Sequence, residues 1–168
     1  MDAQNDHTDD LARIALQEDR LQFDTFTPET AWQLGMRLKE AVEASGKAAA
    51  IDIQLTGQPL FFFAMPGTTP DNVDWIRRKR NVVHRYHRSS YAIGLELKQT
   101  QTTLHDRPWL NVQDHAAAGG CFPIRLRGTG FIGTITISGL PQREDHSIVV
   151  AVLADWFGLP LDNLALNK

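Results

Sequence analysis

The sequence predicts a three-layer α/β sandwich of the α+β kind, with one antiparallel sheet and helices on both faces. Three observations predict it. Two pairs of β-rich runs are each joined by a short glycine-bearing loop, which signals hairpins and therefore antiparallel pairing. Stretches with helical spacing of apolar residues stand before, between and after these hairpins, enough to cover both faces of one sheet. No glycine-rich loop leads from a strand into a helix, which argues against a parallel nucleotide-binding fold.

The elements follow in order. Residues 1–8 read as a disordered, acidic terminus. A helix from Thr8 to about Leu21 is marked by Thr8 as a cap, by Asp9 and Asp10 at its positive end, and by Leu11, Ile14 and Ala15 at helical spacing. The second helix is better framed. Thr27 is its N-cap, Pro28 its first residue and Gly46 its terminator, with Trp32, Leu34, Leu38, Ala41 and Val42 as apolar positions. AAAIDIQL (48–55), the turn TGQP and LFFFAM (60–65) make the first hairpin. A long basic helix covers Asp71 to Leu97, its main body ending near 88. A polar connector then leads to GGCFPIRL, which meets FIGTITISG through RGTG as the second hairpin, strands 121–127 and 130–138. The last helix runs from about Pro141 to Phe157 and stops at Gly158. Residues 9–160 thus form a single domain with an N-terminal helix, and 161–168 form a tail.

Composition narrows the function classes. At 168 residues, with 42% hydrophobic and 22% charged residues, the chain has the balance of an ordinary soluble domain with a sizeable core. A net charge of −3 gives no global drive toward nucleic acid, and no apolar run is long enough to span a membrane. The start MDAQNDHTDD is acidic and polar, unlike a signal or transit peptide, so a cytoplasmic location is expected. One cysteine, Cys121, excludes an intrachain disulfide and a multi-cysteine metal site.

The basic helix carries the main functional signal. At about 100° per residue, Arg77, Arg80, His84 and Arg88 fall in one narrow sector. Guanidinium forks and an imidazole on one face suit a carboxylate or phosphate ligand. The plainer reading is a solvated face or a subunit interface, with Glu40, Glu43 and Asp71 as acids to balance it. Lys79 breaks the pattern by projecting into the apolar face of Trp75, Ile76, Val82, Val83 and Tyr86. A buried lysine needs a partner. Asp145 is the first choice, because it shares the core face of the last helix with Val149, Val152 and Trp156, and Asp74 is the second. His146 lies at the margin of that face. The Ser138–Gly139 turn offers free amides before the last helix, although Glu144 and Asp145 oppose an anion there. The candidate ligand-binding residues are therefore Arg77, Lys79, Arg80, His84, Ser138, Gly139, Asp145 and His146. His84 and His87 share part of a helix face, but no spacing supplies further metal ligands, so no metal site is expected. No acid–base pair or nucleophile stands out by spacing either, and no catalytic residue is assigned.

Four blocks carry a resemblance: QEDRLQFDTFTPETAWQLG, PGTTPDNVDWIRRKRNVVHRYHRSSYAIGLEL, GGCFPIRL and TGFIGTITISGLPQREDHSIVVAVLADW. Together, over roughly residues 11–158, they resemble uncharacterised protein family 0303, within the broader GlcG-like or haem-degrading-domain superfamily, HbpS-like. The resemblance implies a profilin-like fold with a five-stranded antiparallel sheet, homo-oligomers, and haem as a possible cofactor, since haem binding and slow haem degradation give the superfamily its label. No haem-ligand motif of those relatives maps onto this chain. The expected function is a cytoplasmic oligomeric domain binding a small anionic ligand or haem, with little or no catalysis. The alternatives are an enzyme acting on a small anionic substrate, haem included, or a protein-interaction scaffold.

Overall fold

In the computed structural model, which describes residues 2–167 with side chains from 7 onward, nine main elements follow one another. They are α1 (Asp2–Arg20), α2 (Pro28–Ala44), β1 (Ala50–Leu55), β2 (Gln58–Ala64), α3 (Pro70–Tyr86), α4 (Ser90–Gln99), β3 (Cys121–Leu126), β4 (Gly130–Ser138) and α5 (Gln142–Trp156). The strands form one antiparallel sheet in the order β2-β1-β4-β3. The turns at 56–57 and 127–130 close the two hairpins. Gly57, Gly128 and Gly130 adopt positive φ there, where a side chain would be strained.

The two faces of the sheet differ in chemistry. On one face Ile51, Ile53, Ile124, Ile135 and Ile137 join Leu34, Leu38 and Val42 of α2 and Val149, Val150 and Leu153 of α5 in the main core. Gly35 lets α2 settle there, because a Cβ at that position would meet the Phe61 ring at 2.4 Å. On the other face α3 crosses β4, β1 and β3. It rests on a row of buried polar side chains: Asp52, Gln54, Thr134, Thr136 and Ser138. Smaller apolar clusters join α4 to α3 through Val82, Ile93 and Leu97, and to α1 through Ile14, Tyr91 and Leu95.

Four expectations change. The first helix starts at Asp2, so residues 2–8 are helical; no glycine or proline interrupts DAQNDHTDDLARIALQEDR, and acids suit the positive end of a helix. The basic helix is two helices. His87 takes a left-handed conformation at φ 53°, and Ser89 caps the next helix by accepting from Ala92 N–H at 3.2 Å. Among the described residues the sheet has four strands rather than five. Beyond β3 only Phe23 pairs, through a parallel bridge in which its N–H donates to Arg125 O and its carbonyl accepts from Arg127 N–H, both at 2.9 Å. The segment after 160 is no loose tail. Leu164 is buried in the core, and Gln17 Nε2 donates to its carbonyl at 2.7 Å.

Candidate functional site

β1 sets the site because its side chains alternate. Ile51 and Ile53 enter the core, so Asp52 and Gln54 point toward α3. Register places Asp52 between Phe62 of β2 and Thr136 of β4, and Thr136 opposite Cys121 of β3. Residues paired across a sheet share a face, so a polar row lies under the basic helix. α3 does not extend over β2. Between β2 and α3 this leaves an open groove of about 830 Å³, with Asp52, Gln54, Arg77 and Arg80 as its polar end and Phe62 and Val73 as apolar walls. Phe62 is 47% and Val73 43% exposed.

Every arginine of the basic stripe has an acidic neighbour. Arg80 Nη1 donates to Asp52 Oδ2 at 3.1 Å, and Gln54 Nε2 donates to Asp52 Oδ1 at 3.1 Å. Asp52 is only 3% exposed, and burial pushes its carboxyl above the ordinary aspartate value against the pull of Gln54 and Arg80. Arg77 donates to Asp74 at 3.0 Å and to Asp114 at 2.8 Å. Those two acids raise its guanidinium value further. Arg88 lies in the break between α3 and α4 and pairs with Glu18 and Glu96. Within the chain none of the expected balancing acids Glu40, Glu43 and Asp71 pairs with the stripe, and Glu43 pairs with Lys39.

Lys79 and Asp145 meet as expected. Lys79 Nζ donates to Asp145 Oδ2 at 2.9 Å and to Ile137 O at 3.1 Å, with the two residues 3% and 1% exposed. Asp145 Oδ1 accepts from Leu140 N–H at 3.0 Å, closing the first turn of α5. Burial pushes the Asp145 carboxyl above its ordinary value, opposed by Lys79 and that amide. Gly120 makes the pair possible. At φ 129° it brings the chain so close that a Cβ would meet Ile137 O at 2.4 Å and Lys79 Nζ at 2.7 Å. This pair, Ser138 and Gly139 line a second pocket of about 370 Å³.

The eight residues singled out from sequence therefore divide. Arg77 and Arg80 share the groove; Lys79, Ser138, Gly139 and Asp145 share the second pocket. His84 and His146 line neither. His84 packs edge-on against Phe131, its Nε2 is buried without a partner, and burial, then Arg80 and His87, lower its affinity for a proton. His146 is fully enclosed beside Tyr91 and Phe122, with Nε2 2.8 Å from Gln17 Oε1 and Nδ1 unpartnered. Burial drives its value down to about 3, so it is a neutral core residue. Sequence reasoning missed Asp52, Gln54, Phe62 and Val73. The available signal was two polar residues alternating with isoleucines in AAAIDIQL.

Haem, implied by the resemblance, was weighed against these donors. No histidine, cysteine, methionine or tyrosine lines the groove. Cys121 is sealed under Thr136, whose hydroxyl donates to its sulfur at 3.1 Å, and burial pushes its thiol up to about 12, far from a ligating thiolate. Among the described residues no three His, Cys, Asp or Glu side chains cluster as metal ligands. The groove does not fit an axially ligated haem.

Comparisons with known proteins agree on kinship. The profile of the "Haem degrading protein HbpS-like" family matches residues 26–154. A UPF0303 protein of Serratia proteamaculans is 56% identical over 153 residues, 91% of this chain and 95% of that protein. The crystal structure of the Ybr137w protein superimposes with a TM-score of 0.82 at 31% identity, covering 88% of this chain and 87% of that one. A PduOC:haem complex shares the fold, with a TM-score of 0.65 at 17% identity over 77% of this chain and 94% of that one.

Proposed function

The chain belongs to the HbpS-like haem-degrading family, and from that premise we propose that it is a cytoplasmic, homo-oligomeric binding domain for a small organic anion. The observation that carries this reading is the groove between β2 and α3. It brings Arg77 and Arg80, each paired with an acid of the same lining, Asp74 and Asp52, together with an exposed phenylalanine and valine, so an amphipathic anion finds guanidinium forks and apolar surface in one place. The haem complex of PduOC, which shares the fold, is consistent with a site that takes an apolar body bearing acidic groups. In this chain the groove supplies charge and apolar surface but no iron ligand, so haem is not the ligand the geometry supports best. The β2 edge supports self-association, since a terminal strand of the sheet is flanked by Trp32, 57% exposed, on one side and Phe62 on the other. No helix among the described residues is long and apolar enough to cross a membrane.

Anilinonaphthalene sulfonate, an apolar body with a permanent anion, tests the reading by fluorescence and calorimetry. Each lost charge-assisted hydrogen bond is worth about 1.5–3 kcal/mol. Arg80→Gln is therefore expected to weaken probe binding roughly tenfold or more. Arg77→Gln alters a residue at the groove rim and is expected to weaken it with the fold intact. Added haem should show no Soret shift of the kind histidine or thiolate ligation produces. Parental affinity in both arginine variants would refute the groove as an anion site.

A further inference from the structure

Asp52 already holds the less exposed of the groove's two arginines, Arg80. It and Arg80 both line the groove, and Arg80 is the guanidinium bonded to it. A guanidinium has five N–H donors, and Arg80 turns Nη1 toward Asp52. Other cations of α3 are engaged elsewhere: Lys79 with Asp145, Arg77 with Asp74 and Asp114, and Arg78 with Asp74. Facing Asp52 from the remaining elements are Gln54 on β1, Phe62 on β2, Thr136 on β4 and Cys121 on β3. Phe62 brings no charge, Thr136 gives its proton to the Cys121 sulfur, and that thiol is held protonated by burial. Gln54 and Arg80 both favour the charged form of Asp52 against burial, Arg80 is the cation of the two, and Arg80 is also a group an entering anion would claim.

We propose that the groove works by ion-pair exchange: an organic oxyanion with an apolar body takes Arg80 from Asp52, and Asp52 takes a proton from solvent in the same event. The proposal rests on the anion-binding reading of the groove. Its ligand class is a carboxylate or phosphate whose apolar part lies on Phe62 and Val73. The balance is simple. One negative charge enters with the ligand, one proton enters with it, and the net charge of the groove is unchanged. A buried carboxylate left without its counter-ion beside a second anion is the costliest arrangement available, and protonation removes it. Burial already pushes the Asp52 carboxyl above the ordinary aspartate value, and loss of Arg80 acts in the same direction. The sign follows. The ligand-bound state has the higher affinity for the proton, so ligand binding strengthens as pH falls.

The test is calorimetry of anilinonaphthalene sulfonate binding in buffers of different ionisation enthalpy, over a pH series. The sulfonate stays ionised throughout, so any proton taken up belongs to the protein. The parent is expected to take up as much as one proton per probe, with affinity rising toward tenfold per unit fall in pH. Asp52→Asn keeps the shape and frees Arg80; it should bind more tightly, with no uptake and a flat pH profile. His84→Gln should keep the uptake. In the parent itself, the Asp52 carboxyl carbon should move to its protonated chemical shift when probe is added, a readout that needs no variant to fold. Absence of uptake in the parent, persistence of uptake in Asp52→Asn, or its loss in His84→Gln would overturn the exchange. The two readings fail separately. If Arg80→Gln binds as the parent does, the groove is not the anion site. If Arg80→Gln binds weakly while Asp52→Asn keeps the parental pH profile, the exchange alone is wrong.

Discussion

Replacing Lys79 by methionine probes the most enclosed ion pair in the molecule. At 2.9 Å and an effective dielectric of about 20, the attraction between Lys79 and Asp145 is roughly 6 kcal/mol. Much of it offsets the cost of taking both charges out of water. The methionine fills much of the lysine's volume but leaves the Asp145 carboxylate buried, with the backbone amides of Leu140 and Gly139 as its remaining support. Removing one member of such a pair costs about 3–5 kcal/mol. The aspartate has one escape, which is to fold protonated. At pH 7 that costs roughly 4 kcal/mol, set by the distance from the ordinary aspartate value near 3.9. The destabilisation of Lys79→Met is therefore capped near 4 kcal/mol at neutral pH. It should shrink by about 1.4 kcal/mol for each unit the pH falls toward 4, because an acid whose folded-state value is raised gains stability at low pH and loses it as pH rises. Urea unfolding followed by circular dichroism, at fixed protein concentration and at pH 7 and pH 5, measures both quantities. A penalty below about 1 kcal/mol at pH 7, or one independent of pH, would refute the reasoning. The double variant Lys79→Met/Asp145→Leu should recover most of the loss, since an apolar replacement strands no charge.

Two further outcomes are expected. His146 is neutral in the fold at a value of about 3 and titrates near 6.5 when unfolded, so acidification from about pH 6.5 to 3 should remove roughly 4–5 kcal/mol. Asp52 and Asp145 act with the opposite sign, and His146→Gln should flatten the acid limb of a stability–pH curve. If Trp32 and Phe62 flank the contact between copies, Trp32→Glu with Phe62→Glu should convert the homo-oligomer to monomer in sedimentation velocity, with an interface of more than roughly 1,000 Å² lost in total; an unchanged sedimentation coefficient would place the contact elsewhere.

The legible parts of this fold are those written in local chemistry. The hairpins were readable because their loops need positive φ and carry glycine at most such positions, Gly57, Gly128 and Gly130, with Thr56 beside Gly57 the exception. The α2 boundaries were readable because Thr27, Pro28 and Gly46 each act on their own backbone; the Thr27 side chain accepts from Thr30 N–H at 3.2 Å. The break between α3 and α4 was missed for a physical reason. No glycine or proline interrupts 87–90, and Tyr86 and Ile93, seven residues apart, keep one helical phase across it, so the pattern alone gives one helix. Ser89 was the signal against it, since a serine that caps Ala92 N–H competes with helix continuation. The sheet edge was also misjudged, because the five-strand expectation came from kinship, and here the extra position holds the single bridging residue Phe23.

The site was legible only where a residue violated its own element. Lys79 sits in the apolar phase of a helix, and no helix tolerates that without a partner, so the pair with Asp145 followed from period and cost alone. Asp52 and Gln54 violate nothing. In a strand that alternates with Ile51 and Ile53 they read as the solvated side of an antiparallel sheet. What covers that side is α3, whose placement depends on contacts with β4, β1 and β3 rather than on any neighbour in sequence. The same holds for the basic stripe. Arg80 meets an acid 28 residues earlier, Arg77 one 37 residues later, and Arg88 one 70 residues earlier. Local acids, Asp74 for Arg77 and Glu96 for Arg88, supply part of the balance, and the distant ones make a run that looks like free positive charge in sequence into compensated charge in the fold. Binding an anion there means displacing an acid, and the groove's selectivity then lies in how readily Asp52 surrenders Arg80 rather than in how many arginines the helix carries.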